Sequence, residues 1–106
     1  MSALIYCPFP NREAARAIAS QLLDEEWIAC ANVLGEVESL YQWEGERGQA
    51  SEVAVLLKTN ASLLDRAVAR LSDLHPYDVP AVLGWKCDAV GGEAAAWLSK
   101  LSPGSN

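Results

Sequence analysis

Two unbroken apolar runs set the terms for any fold of this chain: Leu4-Ile5-Tyr6 near the start and Val53-Ala54-Val55-Leu56-Leu57 past the middle. Successive side chains of a strand point to opposite faces. A run with no polar break therefore belongs to a strand covered on both sides. A chain of 106 residues fits one domain, taken as 1–106, and can bury only about 60–70% of its unfolded surface. Helices can cover one face of such a sheet. The other face needs a different cover.

The remaining elements follow from spacing. Residues 3–7 read as a buried strand closed by Pro8 and Pro10. Asn11 is a plausible N-cap for a helix whose apolar face is Ala15, Ile18, Ala19, Leu22 and Leu23, ending near Glu26. Residues 27–43 read as extended, with Val33, Val37, Tyr41 and Trp43 alternating against Glu36, Glu38 and Gln42. Gly35 interrupts that pattern and suggests a bulge or bend. A turn over residues 44–48 and a strand over 52–58 complete a long hairpin. A second helix starts at Asn60-Ala61-Ser62, where Ser62 with Asp65 resembles a capping box. Leu64, Ala67, Val68 and Leu71 form its buried stripe, and Pro76 stops it. Residues 81–87 read as the last strand and 93–101 as a short terminal helix. The tail, 102–106, reads as frayed.

The order β-α-β-β-α-β plus a helix is an α+β, ferredoxin-like sandwich, with strand order 4-1-3-2. Both long helices then lie on one sheet face. The short terminal helix is too small to cover the other. The long second strand is also an edge, with unpaired backbone groups. Open face and open edge together point to self-association.

Charge and cysteine usage narrow the function. Hydrophobic residues make up 51% of the chain, which argues against disorder. A net charge of −6 argues against nucleic acid and anionic membrane surfaces as partners, and permits attraction of cations. No stretch approaches the roughly 20 apolar residues of a membrane span. No basic leader precedes an apolar run, so a cytoplasmic location is expected. Cys7, Cys30 and Cys87 are an odd, widely spaced set, neither a disulfide framework nor a CxxC knuckle. Cys30 and Cys87 fall on opposite edge strands, roughly 14 Å apart at the usual strand spacing. A disulfide needs Cα atoms closer than about 7 Å, so no bridge is expected between them.

A specific pattern runs through the chain: Ala29-Cys30-Ala31-Asn32-Val33, Ser39-Leu40-Tyr41-Gln42-Trp43-Glu44-Gly45, Ser51-Glu52-Val53, Lys58-Thr59, His75-Pro76-Tyr77-Asp78-Val79-Pro80 and Trp97-Leu98. The ordered set resembles the CutA divalent-cation-tolerance family across nearly the whole chain. The resemblance implies a tight homotrimer with sheets facing inward and a link to divalent-cation tolerance, copper above all. It is also similar in architecture to the trimeric P-II signal transducers. Departures exist: Pro80-Ala81-Val82 stands where the family usually has Pro-Glu-Ile, Ala94-Ala95-Ala96 replaces a frequent Tyr, and Ala50 replaces a common acidic residue.

Candidate chemistry gathers at few positions. Nothing resembles a nucleophile elbow, a P-loop, a dinucleotide glycine fingerprint or a zinc-helix motif, so no enzymatic activity is expected. In the proposed topology Cys7 lies near the His75-Pro76-Tyr77 loop, and a thiolate with an imidazole suits copper, zinc or a similar ion. In the family, a proposed copper site uses a Cys at the end of the first strand and the His before Pro-Tyr; these match Cys7 and His75. Two ligands fall short of the roughly four of a closed site, so a carboxylate, water or neighbouring subunit would complete it. The competing reading is a capping histidine beside a half-buried thiol. Tyr41, Trp43 and Tyr77, with Lys58, either line a small-molecule cleft between subunits, as a P-II-like signalling module would, or pack an interface and end a strand. Glu36, Glu38, Glu44 and Glu46 are a solvated edge or a weak cation site.

Overall fold

The first strand sorts its residues cleanly. Ala3, Ile5, Cys7 and Phe9 are each 0% exposed, while Leu4 and Tyr6 between them are only half-buried. The chain, whose computed structural model describes residues 1–104, runs β1 (Ser2–Phe9), α1 (Arg12–Asp24), β2 (Cys30–Trp43), β3 (Glu46–Asn60), α2 (Leu64–Leu74), β4 (Leu83–Lys86) and α3 (Gly92–Ser99). One antiparallel sheet takes the order β2-β3-β1-β4, the expected order read from its other edge. Ile5 pairs with Leu57, Cys7 with Val55 and Phe9 with Val53. These residues meet Ala15 and Leu22 of α1 and Leu64, Ala67 and Leu71 of α2 in one core. Both long helices thus cover the same face.

Local chemistry fixes where the helices start. Asn11 caps α1 by accepting the Ala14 N–H on its side-chain oxygen at 2.8 Å. The helix stops at Asp24, and Glu26 takes a left-handed φ of 64° just beyond it. The capping box expected at Ser62 and Asp65 does not form, and α2 starts at Leu64 with no side-chain cap. Asn60 takes over the turn instead. Its Oδ1 accepts from Ser62 Oγ at 2.7 Å and from the Leu63 N–H at 3.1 Å. Asparagine closes such turns with its own side chain, and Ser62 is spent as its donor.

The hairpin is longer than the sequence suggested. The ladder holds as far as Trp43 opposite Glu46, so the expected turn over 44–48 contracts to Glu44 and Gly45. Both have positive φ, 49° and 82°, the backbone twist that a two-residue hairpin turn requires. Gly35, at φ 116°, marks the bulge, where the register slips between Val33 and Gly35. The slip reverses the faces. Val33 pairs with Val55 on the helix side, but Val37 pairs with Glu52 on the opposite side. The apolar row read as continuous from Val33 to Trp43 therefore crosses from one face to the other at Gly35.

Beyond this bulge the hairpin leaves the body. β1 ends at Phe9 opposite Val53, so residues 37–43 and 46–52 pair only with each other as a two-stranded arm. The sheet face away from the helices carries Leu4, Tyr6, Leu56, Lys58, Leu83 and Trp85. Trp85 is 46% exposed and Leu83 62%. α3 covers only the Ser2/Asn60 end, where Asn60 Nδ2 donates to the Leu98 carbonyl at 2.9 Å. The tail expected to fray is partly tied: the Ser102 N–H donates to Glu26 Oε1 at 3.2 Å. Residues 105–106 of that tail lie outside the described residues. β4 is shorter than the strand expected over 81–87. All three cysteines are free. No helix among the described residues is long and apolar enough to cross a membrane.

Candidate functional site

Cys7 sits on β1 with its side chain on the helix face, wholly buried. His75 is the residue at which α2 ends; its backbone N–H still donates to the Leu71 carbonyl, and its own φ/ψ is extended. That turn drops the imidazole into the body, where it is only 6% exposed. It stacks on Phe9, with ring centroids 4.8 Å apart, and meets the Tyr77 ring at 4.7 Å.

Both ring nitrogens of His75 are engaged. Nε2 lies 2.8 Å from the Pro8 carbonyl oxygen. A carbonyl can only accept, so Nε2 carries the proton and donates. The Tyr77 backbone N–H donates to Nδ1 at 3.2 Å. A backbone N–H can only donate, so Nδ1 is the acceptor, and the ring is the neutral tautomer protonated at Nε2. The Cys7 thiol contacts the same Pro8 carbonyl at 3.5 Å.

Glu52 is the neighbour that sequence reasoning did not single out. Tyr77 Oη donates to Glu52 Oε2 at 2.8 Å. Glu52 stands at the root of the arm, next to Val53, where the three-stranded ladder gives way to two strands. Its signal in the sequence was its place in the Ser51-Glu52-Val53 segment of the family pattern, where it reads as a carboxylate opening an apolar run. Burial, with the Glu52 charge adding to it, pushes the Cys7 thiol up from 9.0 to about 12. Burial and the hydrogen bond to Glu52 push the Tyr77 phenol up to about 12, with Cys7 and Tyr41 adding smaller electrostatic effects.

The six residues expected to bind ligands do not form one site. Cys7, His75 and Tyr77 come together at the arm root. Tyr41 lies further along the arm opposite Gly48, with its ring in the space a side chain at Gly48 would need. Trp43 stands at the arm tip, 54% exposed. Lys58 pairs with Leu4 and Cys30, toward the other end of the sheet. Glu36 and Glu38 line a shallow concavity of about 520 Å³ on the arm with Gln49 and Ser51.

The pair that suits copper on paper does not fit an ion in this fold. No group of three or more His, Cys, Asp or Glu side chains among the described residues is placed to hold one. A metal on His75 would orphan either the buried Pro8 carbonyl or the Tyr77 N–H, at a cost of about 1–3 kcal/mol. Cys7 binds metal only as a thiolate, and its surroundings hold the proton on.

The family profile described as CutA1 divalent ion tolerance protein matches residues 3–101. The chain belongs to the CutA1 divalent ion tolerance family. The divalent-cation tolerance protein CutA of Pyrococcus horikoshii is 40% identical over 95 residues, covering 90% of this chain and 92% of that one. The chloroplastic CutA protein of Arabidopsis thaliana is 34% identical over 97 residues, covering 92% of this chain and 53% of the plant protein. The crystal structure of CutA1 from Pyrococcus horikoshii superposes with a TM-score of 0.86 at 37% identity, covering 94% of this chain and 97% of that one. A structure described as the periplasmic divalent cation tolerance protein CutA from Archaeoglobus fulgidus gives 0.88 at 27% identity, covering 95% and 98%. Membership of the family ties the chain to divalent-cation tolerance.

Proposed function

We propose that this member of the CutA1 family works as a ferredoxin-like homotrimer in the response to divalent metal ions, copper among them, without catalysing a reaction. The observation that carries the reading is the uncovered apolar face: Leu4, Tyr6, Leu56, Leu83 and Trp85 on the body, continued by Val37, Tyr41 and Trp43 on the arm. Fully burying an exposed large apolar side chain is worth about 1.5–3 kcal/mol, and each member of the set gains only the part of that it still exposes. A second copy supports the same need, since its face is equally apolar and its β2 and β4 edges are equally unpaired. Three copies is the number the family resemblance implies. Each copy brings a net charge of −6, so assembly concentrates a field that draws cations.

Sedimentation velocity at micromolar concentration tests the assembly. The expected mass is three times the 11.4 kDa chain, and a Leu83→Glu, Trp85→Glu double variant is expected to sediment as single subunits. A stable wild-type single subunit would sink the reading. Calorimetric titration with copper(II) chloride tests the ion contact separately; the wild type is expected to give a saturable heat.

A second reading draws on the Tyr77–Glu52 hydrogen bond at the arm root, with Tyr41 further along the same arm. If the arm of one copy reaches the body of another, a P-II-like cleft for a small molecule could join these groups to Trp43 or Lys58 of a neighbour. A metabolite that raises the melting temperature of the wild type but not of a Tyr41→Ala variant would favour it.

A further inference from the structure

We infer that Cys7 and His75 are a structural clasp at the root of the arm, and that neither is a ligand of a metal ion in the folded chain. The imidazole ties the end of α2 and the loop after it to β1, and through Tyr77 to β3. Through its place at the end of α2 it is continuous with the helix. Through Nε2 it holds the Pro8 carbonyl at the end of β1. Through Nδ1 it holds the Tyr77 backbone, and the Tyr77 side chain reaches on to Glu52. Phe9 closes one ring face, and Tyr77 lies tilted at 54° against the imidazole. No lone pair of the ring is left for an ion, because the Nε2 proton faces a carbonyl and the Nδ1 lone pair faces an N–H.

Cys7 completes the clasp as a packing group. Its side chain lies in the helix-side core opposite Val55, and its thiol proton is directed at the same Pro8 carbonyl that His75 engages. One carbonyl thus gathers both groups. Buried thiols of this kind behave as small apolar residues with a weak donor. The clasp holds the loop after α2 against Glu52, where the arm leaves the sheet, and so sets the arm's direction. Any ion that the protein takes up binds through other side chains.

The test uses the fact that His75 is the only histidine in the chain. Isotopically labelled histidine gives one pair of ring nitrogen resonances. They are expected to show a protonated Nε2 and an unprotonated Nδ1, and to stay unchanged when zinc chloride is added to the full chain. A zinc-dependent shift of either resonance would overturn the inference. Copper(II) titration gives an independent answer: Cys7→Ser is expected to keep the wild-type affinity, and a loss of about tenfold or more would overturn the clasp reading. His75→Gln is expected to lower the melting temperature and to speed hydrogen exchange at the Tyr77 amide, with copper affinity unchanged. Should that variant fail to fold, the Cys7→Ser titration and the wild-type resonances still decide. A wild type that binds no copper at all agrees with the clasp and removes only the copper contact proposed above.

Discussion

The two faces of the one sheet answer to different neighbours. On the helix side Ile5, Cys7, Val55 and Leu57 are fully buried by α1 and α2 of the same chain. On the other side their immediate neighbours, Leu4, Tyr6 and Leu56, are only half-buried, and Leu83 and Trp85 beside them are exposed. The same two strands supply both sets, so apolar composition alone does not say which face a chain completes by itself. The covers do. The helix face is closed within one subunit. The far face is closed only at one end, by α3.

Adjacent residues of β1 make the sharpest attack on that contrast. Ile5→Ala is expected to cost about 2–5 kcal/mol in denaturant unfolding, by lost burial plus a residual cavity. That loss should not vary with protein concentration, because the cavity lies within one subunit. Leu4→Ala, one residue away, should act mainly through assembly, so its cost should depend on protein concentration. If both variants showed the same concentration-independent loss, the division between an internal and a shared face would be broken.

A smaller effect is expected at the bulge that moves the apolar row between faces. Gly35 has a φ of 116° and open space around it. A Cβ there meets no neighbour, so Gly35→Val is expected to act by forcing a β-branched residue into strained backbone, at about 1–3 kcal/mol. Unfolding in the background of Leu83→Glu, Trp85→Glu, the variant expected to sediment as single subunits, isolates that strain. If the penalty were absent, the strand would have found another register, and amide exchange along residues 36–43 would reveal it.

The smallest effect belongs to the covered face, at the clamp between its helices. Arg70 forms a bidentate ion pair with Glu25, both bonds at 2.8 Å, while Gln21 and Trp27 also donate to that carboxylate. The hydrogen bond from Arg70, with that from Gln21, lowers Glu25 from 4.5 to about 2. A carboxylate lowered on folding adds stability above its unfolded value and loses it as pH falls through the folded one. The contribution is thus full above about pH 4.5 and fades toward about pH 2. Thermal melts from pH 6 downward should fall less steeply over that window in Glu25→Gln than in the wild type. Identical slopes would show that the clamp is screened into insignificance, as exposed pairs often are.

Much of this was readable beforehand, for identifiable reasons. The burial of Ala15, Ala19, Leu22, Leu64, Ala67 and Leu71 follows from spacing, since helical period and apolar side chains leave little choice. Gly35 announced a bulge, but not that Val33 and Val37 would face opposite ways; that depends on which partner residue is skipped. Ser62 looked like a cap because the motif is local, and Asn60, two residues upstream, outcompeted it. At the candidate site Cys7, His75 and Tyr77 were placed together by topology. Their state was hidden because the deciding partner of His75 is the backbone oxygen of Pro8, and a carbonyl has no letter in a sequence. Glu52 was missed because a carboxylate opening a strand resembles ordinary solvated charge.

The arm's strands pair with nothing but each other past Val53, and neither helix lies beneath them. Span and foldability are thereby decoupled. Adding two residues to each strand would extend the reach by roughly 7 Å while leaving every core contact as it is, so the arm's reach can be retuned by insertion at the tip alone.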